Sequence, residues 1–528
     1  MGFFANTNKD FFRYLIDVSL LIFMLKFKLL NISPLLITGY YLLLFIYNFY
    51  HNLFWKIYDV YPAVYNDWSL IKTGLAILWK ESKYVVMVSF LGGSVVLVFI
   101  YFAFSRYLSF VIQSPYYLLD IILAFGFLIL FIVTIARFNI LHKGRIHYAD
   151  RRLRFVVGIL RIYYNIRLSN EFAAQGKRMK TRKIEKIRQQ PEFKLRIRPN
   201  IFFLFIESYG SILMQDQDML PHYKKIYRKL KQHMNENNWG MVSNLSRAPS
   251  SSAYSWLCYS SFLYGYNISL HAHYERFLKN PIFYNADNLF RILKNKGYTT
   301  CFLNPIKPNP RIKIEYQYLT PFYAVDRWIL FEHLNYKGDR FGFGDFPPDQ
   351  YSLNRGREII ENTVSQPYAL LFLSKNSHSP FASPLRIEND WKSLNHSSGK
   401  TDYGGGFLKL PKVKNYLTAI QYQLEVITHF IKNTAGKNDL YFIVGDHQPP
   451  VISSREKNGL NTPVHIISKD DAFLKGFLQY GFRDSLFDDS LAPVRHESMY
   501  SAFLREFIKN YGIDYQRLPE YEPYGLQI

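Results

Sequence analysis

The chain has 528 residues, of which 49% are hydrophobic and 18% aromatic, and its formal net charge is +23. This length predicts several domains. The two cysteines, Cys258 and Cys301, exclude a disulfide-rich scaffold. Long apolar stretches are confined to about the first 140 residues, and the remainder has the composition of a water-soluble domain. We therefore predict a membrane-anchored protein.

Four apolar segments near the N-terminus approach the ~20 residues that a helix needs to cross a bilayer. They are residues 12–31, 34–54, 84–105 and 115–137. Residues 84–104 and 116–136, within the last two segments, contain no basic residue, whereas Asp17, Lys26 and Lys28 interrupt the first. Residues 66–80 have the pattern of an interfacial amphipathic helix. We predict a transmembrane domain of about three to five helices over residues 1–145.

Basic residues are concentrated in the segment that follows, residues 146–199. Basic clusters beside a membrane span usually contact anionic lipid head groups. No groove-entering motif or base-stacking platform is visible, so we expect a membrane partner and no nucleic acid. We interpret 146–199 as a basic interfacial connector.

Residues 200–528 alternate between apolar strand candidates and helix candidates, and they end in a C-terminal tail. The strand candidates are 201–206, 240–244, 299–303, 368–373, 440–444 and 464–467. This alternation predicts an α/β fold with a mainly parallel central sheet between helices.

Two of these strands run directly into metal-ligand side chains. Glu207 follows the strand at 201–206, and Asp446 and His447 follow the strand at 440–444. Ligands collect beyond the carboxyl ends of parallel strands, so we expect these three side chains to lie close together. Carboxylates and imidazole are ligands of divalent metal ions.

A serine-rich segment, residues 247–265, contains candidate nucleophiles. A serine at the start of a helix beside a divalent ion is activated by both, although serine-rich stretches are more often caps and turns. His378 follows the strand at 368–373. It is a candidate to bind a phosphate oxygen or to protonate a leaving group, with a structural role as the alternative.

Taken together, these segments resemble the sulfatase-like branch of the alkaline phosphatase superfamily. The resemblance is to its membrane-bound phosphoglycerol and phosphoethanolamine transferases, of which lipoteichoic acid synthase is a well-known member. The matching segments occur in the family's order, at 206–210, 255–265, 376–381, 445–450 and 462–467. The similarity covers about residues 200–470 and is looser over the membrane part.

The resemblance implies one divalent ion, Mn, Zn or Mg, and a serine nucleophile. The implied metal ligands are Glu207, Ser255, Asp446 and His447. Ser255 matches the family's Ser/Thr-Trp-Leu run and is favoured as the nucleophile, whereas Ser252 matches the spacing of the lipoteichoic acid synthase type.

Three residues are implied as substrate contacts. They are His378, His465 and Arg311. For His465 a buried structural role is an equal alternative. Arg311 lies in a proline-rich segment where relatives often have a histidine, and a solvated loop is the favoured interpretation there.

The function implied is transfer of phosphoglycerol or phosphoethanolamine from an anionic phospholipid donor to an envelope glycan or lipid acceptor, through a covalent serine intermediate. The implied location is the bacterial inner (cytoplasmic) membrane, multi-pass, with an extracytoplasmic catalytic domain. Basic residues in the loop 55–83 and in the connector conflict with that topology. The formylglycine signature is absent, which argues against a true sulfatase. The alternatives are a phosphodiesterase or phosphatase of the same fold, and a non-catalytic lipid-binding envelope regulator.

Overall fold

The computed structural model describes residues 14–526 with gaps. The gaps are residues 59, 82, 116, 142–154, 179–191, 281–285, 308–309, 343–344, 365–366, 380, 382–385, 397–400, 403–412, 435–438 and 454–457. The chain divides into two compact units, Met1–Lys177 and Arg178–Ile528.

The first unit is helical. Its elements are β1 Tyr14–Leu15, α1 Ile16–Lys26, α2 Pro34–Tyr58, α3 Val64–Glu81, α4 Lys83–Gln113, α5 Leu118–Leu141, β2 Phe155–Val156 and α6 Gly158–Arg178. Within the described residues, one stretch, Met87–Gln113, is long and apolar enough to cross a membrane, and Leu118–Val133 is a shorter apolar helix. On these criteria the described residues contain one candidate span, whereas three to five were predicted.

Two of the three charges that interrupt the first apolar segment, Lys26 and Asp17, have partners inside this unit. Lys26 Nζ donates to Asp120 Oδ2 at 2.9 Å. Asp17 Oδ2 accepts from the Tyr40 hydroxyl at 3.0 Å and from the backbone N–H of Ile159 at 3.1 Å. α1 has 11 residues, about half the length that a span requires.

α6 lies within the predicted connector and belongs to the first unit. The Tyr47 hydroxyl donates to the backbone oxygen of Arg161 at 3.0 Å, and the backbone N–H of Val64 donates to Asn165 Oδ1 at 3.0 Å. The rest of the basic connector falls mostly on 146–154 and 179–191, outside the described residues.

The second unit is an α/β domain. Its strands are β3 Lys194–Leu195, β4 Ile201–Ile206, β5 Gly240–Arg247, β6 Thr299–Leu303, β7 Arg327–Ile329, β8 Arg340–Phe341, β9 Tyr368–Leu373, β10 Thr401–Asp402, β11 Leu440–Gly445, β12 Asn461–Ser468, β13 Val494–Arg495 and β14 Gly512–Ile513. Its α-helices are α7 Ile212–Gln215, α8 Met219–Glu236, α9 Ser255–Tyr264, α10 His271–Leu278, α11 Leu289–Asn295, α12 Pro310–Tyr323, α13 Phe331–Leu334, α14 Asp349–Thr363, α15 Val413–Thr434, α16 Asp471–Gly476 and α17 Ser498–Tyr511.

Eight strands form the central sheet, in the order β13-β5-β12-β11-β4-β9-β6-β7. The five strands from β11 to β7 are parallel, whereas β12 is antiparallel to both of its neighbours. Every residue of β4, β9 and β11 is buried, as expected for parallel strands with continuous apolar sequences. The predicted fold class, an α/β domain with a mainly parallel sheet, is confirmed.

The pairing of β4 with β11 brings the two acidic strand ends together. Gly445 is opposite Ile206, so Asp446 and Glu207 leave the sheet side by side. Both strand ends need a glycine for this approach. A Cβ atom on Gly445 would collide with the backbone oxygen of Tyr209, and one on Gly210 would collide with the side chain of Gln448.

The variant Gly445→Ala tests this close approach. The added methyl group overlaps backbone rather than a flexible side chain, so we expect a loss of about 1–3 kcal/mol in stability and weaker metal binding. Gly93→Ala is the control, because no atom lies within 4 Å of its Cβ position. Apparent unfolding temperatures of the detergent-purified full chain provide the measurement. Equal values for Gly445→Ala and the wild type would contradict the proposed packing.

Candidate active site

Three buried ligand side chains meet at the carboxyl ends of β4 and β11. Each of Glu207, Asp446 and His447 offers one ligand atom, and these atoms lie within 4.8 Å of one another. His447 Nε2 is 3.4 Å from Glu207 Oε1 and 3.4 Å from Asp446 Oδ2. The expected proximity of the two strand ends is therefore found in the structure.

The imidazole of His447 is oriented for coordination. Its Nδ1 lies 2.9 Å from the backbone oxygen of Gln448. A carbonyl oxygen only accepts, so Nδ1 carries the hydrogen and Nε2 has a free lone pair directed at the two carboxylates. An outer hydrogen bond of this kind fixes the tautomer of metal-binding histidines.

Backbone and hydroxyl donors hold the two carboxylates in place. Asp446 Oδ1 accepts from the backbone N–H of Ser208 at 2.8 Å and from that of His447 at 2.6 Å. The Ser208 hydroxyl donates to Glu207 Oε1 at 3.0 Å. Ser208 has a φ of 59°, so the chain turns sharply after β4 and directs this donor back to the cluster.

Ser255 is the first residue of α9 and contacts the cluster. Its Oγ donates to Glu207 Oε2 at 3.0 Å and lies 3.4 Å from His447 Nε2. Tyr254, with a φ of 69°, has left-handed backbone geometry at the helix N-cap. Ser255 is therefore the first residue of the helix. Ser252 is 2% exposed, and no hydrogen bond joins its side chain to the cluster in the described part of the chain.

The loop after β9 supports Glu207 from the other side. Ser374 Oγ accepts from the backbone N–H of Glu207 at 3.0 Å, and Ser377 Oγ donates to the backbone oxygen of Glu207 at 2.7 Å. His378, in the same loop, is partly exposed, and its Nδ1 donates to the backbone oxygen of Ser379 at 2.6 Å. Lys375 and His378 both interact electrostatically with Glu207.

The pKa values of the Glu207 and Asp446 carboxyl groups are shifted in opposite directions. Burial raises the pKa of Glu207, but electrostatic interaction with His447, His378 and Lys375 and the hydrogen bond from Ser255 outweigh burial and bring the pKa down to about 2. Burial and the neighbouring Glu207 raise the pKa of Asp446 well above its ordinary value. Adjacent buried carboxylates repel each other, and a cation between them removes this repulsion.

The donor set fits one divalent metal ion. Asp446 Oδ2 is fully buried and has no hydrogen-bond partner among the described residues, although it lies 3.4 Å from His447 Nε2. Two carboxylates, one neutral imidazole nitrogen and one hydroxyl are a mixed oxygen and nitrogen set that suits Mn, Zn or Mg. Glu207, Asp446, His447 and Ser255 are the residues that would hold the ion.

Two of the residues predicted to contact substrate, His465 and Arg311, lie in positions that differ from that prediction. His465 is fully buried in β12, where its Nε2 lies 2.9 Å from the Tyr209 hydroxyl and its Nδ1 lies 2.8 Å from Ser243 Oγ. Both ring nitrogens are occupied, so we assign His465 the structural alternative. Arg311 lies in the first turn of α12 rather than in a loop, and its side chain falls outside the described residues.

Two supporting residues, Asp349 and Lys375, were not identified from the sequence. Asp349 follows two prolines at the start of α14, a recognisable helix-start signal, but its link to the loop after β9 depends on tertiary structure. His496 Nε2 lies 3.1 Å from the backbone oxygen of Gly445 and supports the end of β11. Lys375 belongs to the segment that carries His378 and had no assigned role.

The mainly parallel sheet therefore carries this ligand cluster and a helix-start serine at the carboxyl ends of its strands. The Sulfatase family model matches residues 199–477, which is more than half of the chain. The chain therefore belongs to the Sulfatase family. No sequence in the curated set of proteins matches it.

Solved structures with a similar fold include three from different bacteria. A protein of the alkaline phosphatase superfamily from Vibrio parahaemolyticus is 14% identical, with 63% of this chain and 71% of that chain covered and a TM-score of 0.41. The lipoteichoic acid synthase LtaP from Listeria monocytogenes is 12% identical, with 65% and 80% covered and a TM-score of 0.40. The phosphoglycerol transferase GacH from Streptococcus pyogenes, in complex with sn-glycerol-1-phosphate, is 13% identical, with 67% and 88% covered and a TM-score of 0.35.

Replacing one of the two paired carboxylates tests the metal site. In Asp446→Asn we expect metal affinity to fall by more than about 100-fold, since loss of an outer-shell partner alone costs 10–100-fold. At neutral pH the metal-free variant should unfold at a higher temperature than the metal-free wild type, because the raised pKa of Asp446 lowers the stability of the wild type above the unfolded-state pKa.

Metal content by mass spectrometry and thermal unfolding with and without chelator provide the two readouts. Glu332→Gln, which changes an exposed carboxylate, is the control. Unchanged metal content in Asp446→Asn would show that the cluster is not a metal site.

The buried histidine of β12 predicts a pH dependence of stability. Burial lowers the pKa of His465 to about 3, so its contribution to stability is present above the unfolded-state pKa and is lost as pH falls below it. Between pH 7 and pH 5 the wild type should lose about 2 kcal/mol more than His465→Gln, given an unfolded-state pKa of about 6.5. Parallel stability curves for the two proteins would refute this assignment.

Proposed function

We propose that this protein is a metal-dependent membrane transferase that moves phosphoglycerol or phosphoethanolamine from a phospholipid to an envelope glycan or lipid. One observation carries the proposal. The Ser255 hydroxyl lies at a helix N-terminus and within 3.0 Å of Glu207 and 3.4 Å of His447. A hydroxyl at such a position is set up to attack phosphorus rather than to cap a turn.

The reaction has two displacements. In the first, a Ser255 Oγ–P bond forms and the bond from phosphorus to the diacylglycerol oxygen breaks, and diacylglycerol departs with one proton. In the second, an acceptor hydroxyl attacks the same phosphorus and the Ser255 Oγ–P bond breaks. The acceptor's proton returns to Ser255, so the sum transfers one head group and regenerates the serine.

The protein's own groups have distinct roles in this scheme. Glu207 accepts a hydrogen bond from Ser255 Oγ and so orients the nucleophile. His378 is partly exposed beside the cluster and is the proposed proton donor to the departing diacylglycerol oxygen. A divalent ion held by Glu207, Ser255, Asp446 and His447 would supply a lowered hydroxyl pKa and stabilisation of charge on phosphorus.

The proposal places the site at a bacterial inner membrane. Residues 1–145 would form a multi-pass transmembrane domain, 146–199 a basic connector, and 200–528 an extracytoplasmic catalytic domain. The apolar stretch Met87–Gln113 supports membrane attachment. The donor would be an anionic phospholipid, whose head group the basic connector attracts.

A phosphodiesterase or phosphatase differs only in the acceptor, since water then attacks the Ser255 adduct. A non-catalytic lipid-binding regulator needs no metal ligands, and the complete set Glu207, Asp446 and His447 argues against it.

The test is peptide-resolved mass spectrometry of the full chain in nanodiscs that contain phosphatidylglycerol or phosphatidylethanolamine, with Mn²⁺. We expect a phospho-head-group adduct on Ser255 in the wild type and in Ser252→Ala, together with diacylglycerol release. In Ser255→Ala the adduct should disappear and release should fall by about 10³-fold or more.

Three other outcomes of this experiment would each support a different alternative. An adduct on Ser252 would move the nucleophile to that residue. Free glycerol phosphate or ethanolamine phosphate in the presence of acceptor would identify a hydrolase. Bound metal with no lipid consumed would overturn the transferase proposal in favour of the regulator.

A further inference from the structure

Lys375 is a buried lysine next to the metal-ligand cluster. It comes two residues after β9 and is 8% exposed. Lysine is almost never buried to this extent unless its charge is paired. The presence of such a residue one loop away from Glu207 therefore requires a physical reason.

The backbone of Lys375 is held rigidly by Asp349. The Asp349 carboxylate is fully buried and accepts from the backbone N–H of Lys375 at 3.0 and 2.9 Å, and from that of Asn376 at 2.7 Å. Gln423 Nε2 donates to the same carboxylate at 2.6 Å. With its backbone donors satisfied in this way, the loop fixes the direction in which the lysine side chain leaves.

The ammonium group of Lys375 lies within electrostatic range of the cluster. It interacts electrostatically with Glu207, Asp349 and Asp446, and its Nζ is 5.7 Å from the centroid of the Phe346 ring. In the described ranges of the chain, no hydrogen bond or ion pair at contact distance uses its Nζ. Three charged N–H donors are therefore available at the site, since the backbone bonds to Asp349 do not use them.

Charge balance indicates what those donors bind. The charges of Glu207 and Asp446 match those of one divalent cation, so the protein ligands and the ion are together neutral. A phosphodiester brings one further negative charge, and the displacement at phosphorus adds more. Lys375 is a buried lysine beside the cluster whose ammonium group is available to match it. A compact ammonium suits a phosphate oxygen as a point-charge donor.

We propose that Lys375 binds a non-bridging oxygen of the tetrahedral phosphate group at this site. Asp349 is the positioning residue that holds its loop. This inference rests on the proposed function for the identity of the substrate, a lipid phosphodiester. Inorganic phosphate has the same anionic oxygens, so binding of phosphate can be tested separately from transfer.

The experiment compares Lys375→Met with the wild type by calorimetric titration of inorganic phosphate into the Mn²⁺-loaded full chain in detergent. Loss of a charged hydrogen bond predicts phosphate binding that is weaker by about 10- to 100-fold. Mn²⁺ affinity should stay equal or increase, because a positive charge next to a cation site has been removed. Lys375→Arg should retain part of the phosphate affinity.

Lys475→Met is the matched control. Lys475 is an exposed lysine on α16, which follows the end of β12. Because β12 is antiparallel to β11, this end lies at the opposite edge of the sheet from the cluster. The control removes the same charge and should bind phosphate and Mn²⁺ like the wild type.

Three results would overturn the inference. The first is phosphate affinity in Lys375→Met equal to that of the wild type, and the second is no phosphate binding by the wild type. The third is joint loss of phosphate and Mn²⁺ binding in Lys375→Met, which would show a structural role. A Lys375-dependent phosphate site in a protein that forms no serine adduct would leave the inference intact and refute only the proposed transferase function. With phosphatidylglycerol nanodiscs, a matching rise in KM shows that the lipid phosphate uses the same contact.

Discussion

Two carboxylates buried side by side at the carboxyl ends of β4 and β11 are the constraint on which the rest of the site depends. Glu207 and Asp446 are 4% and 0% exposed, and the pairing of their strands leaves them no room to separate. Burial of like charges is costly, and the cost is removed only when a cation or well-placed donors compensate. The surrounding side chains can be understood as parts of that compensation.

The compensation is arranged in two layers. His447, the Ser208 backbone N–H and the Ser255 hydroxyl contact the carboxylates directly. Behind them, Asp349 fixes the loop that carries Lys375. This second layer contributes little to the chemistry by itself, but it keeps donors at fixed distances from Glu207, which a reaction at phosphorus requires.

The apolar strand sequences and the residues at their ends made the central part of this architecture predictable. Continuous apolar runs identify buried parallel strands, and Glu207, Asp446 and His447 were expected to meet because parallel strands end at one edge. The role of His465 could not be decided in this way. Its environment is created by Tyr209 and Ser243, which are 256 and 222 residues away in the chain. The contacts of Lys375 and Asp349 depend on tertiary structure for the same reason. The charges of the first apolar segment, Asp17 and Lys26, likewise found partners on other helices.

The most direct test of the central claim is pulsed electron paramagnetic resonance of the Mn²⁺-loaded full chain in phosphatidylglycerol nanodiscs. One directly coordinated imidazole nitrogen should couple to the manganese, and His447→Gln should abolish that coupling. A phosphorus coupling should appear only when the phospholipid is present. Absence of nitrogen coupling, or coupling to several imidazoles, would contradict a site built from Glu207, Asp446 and His447.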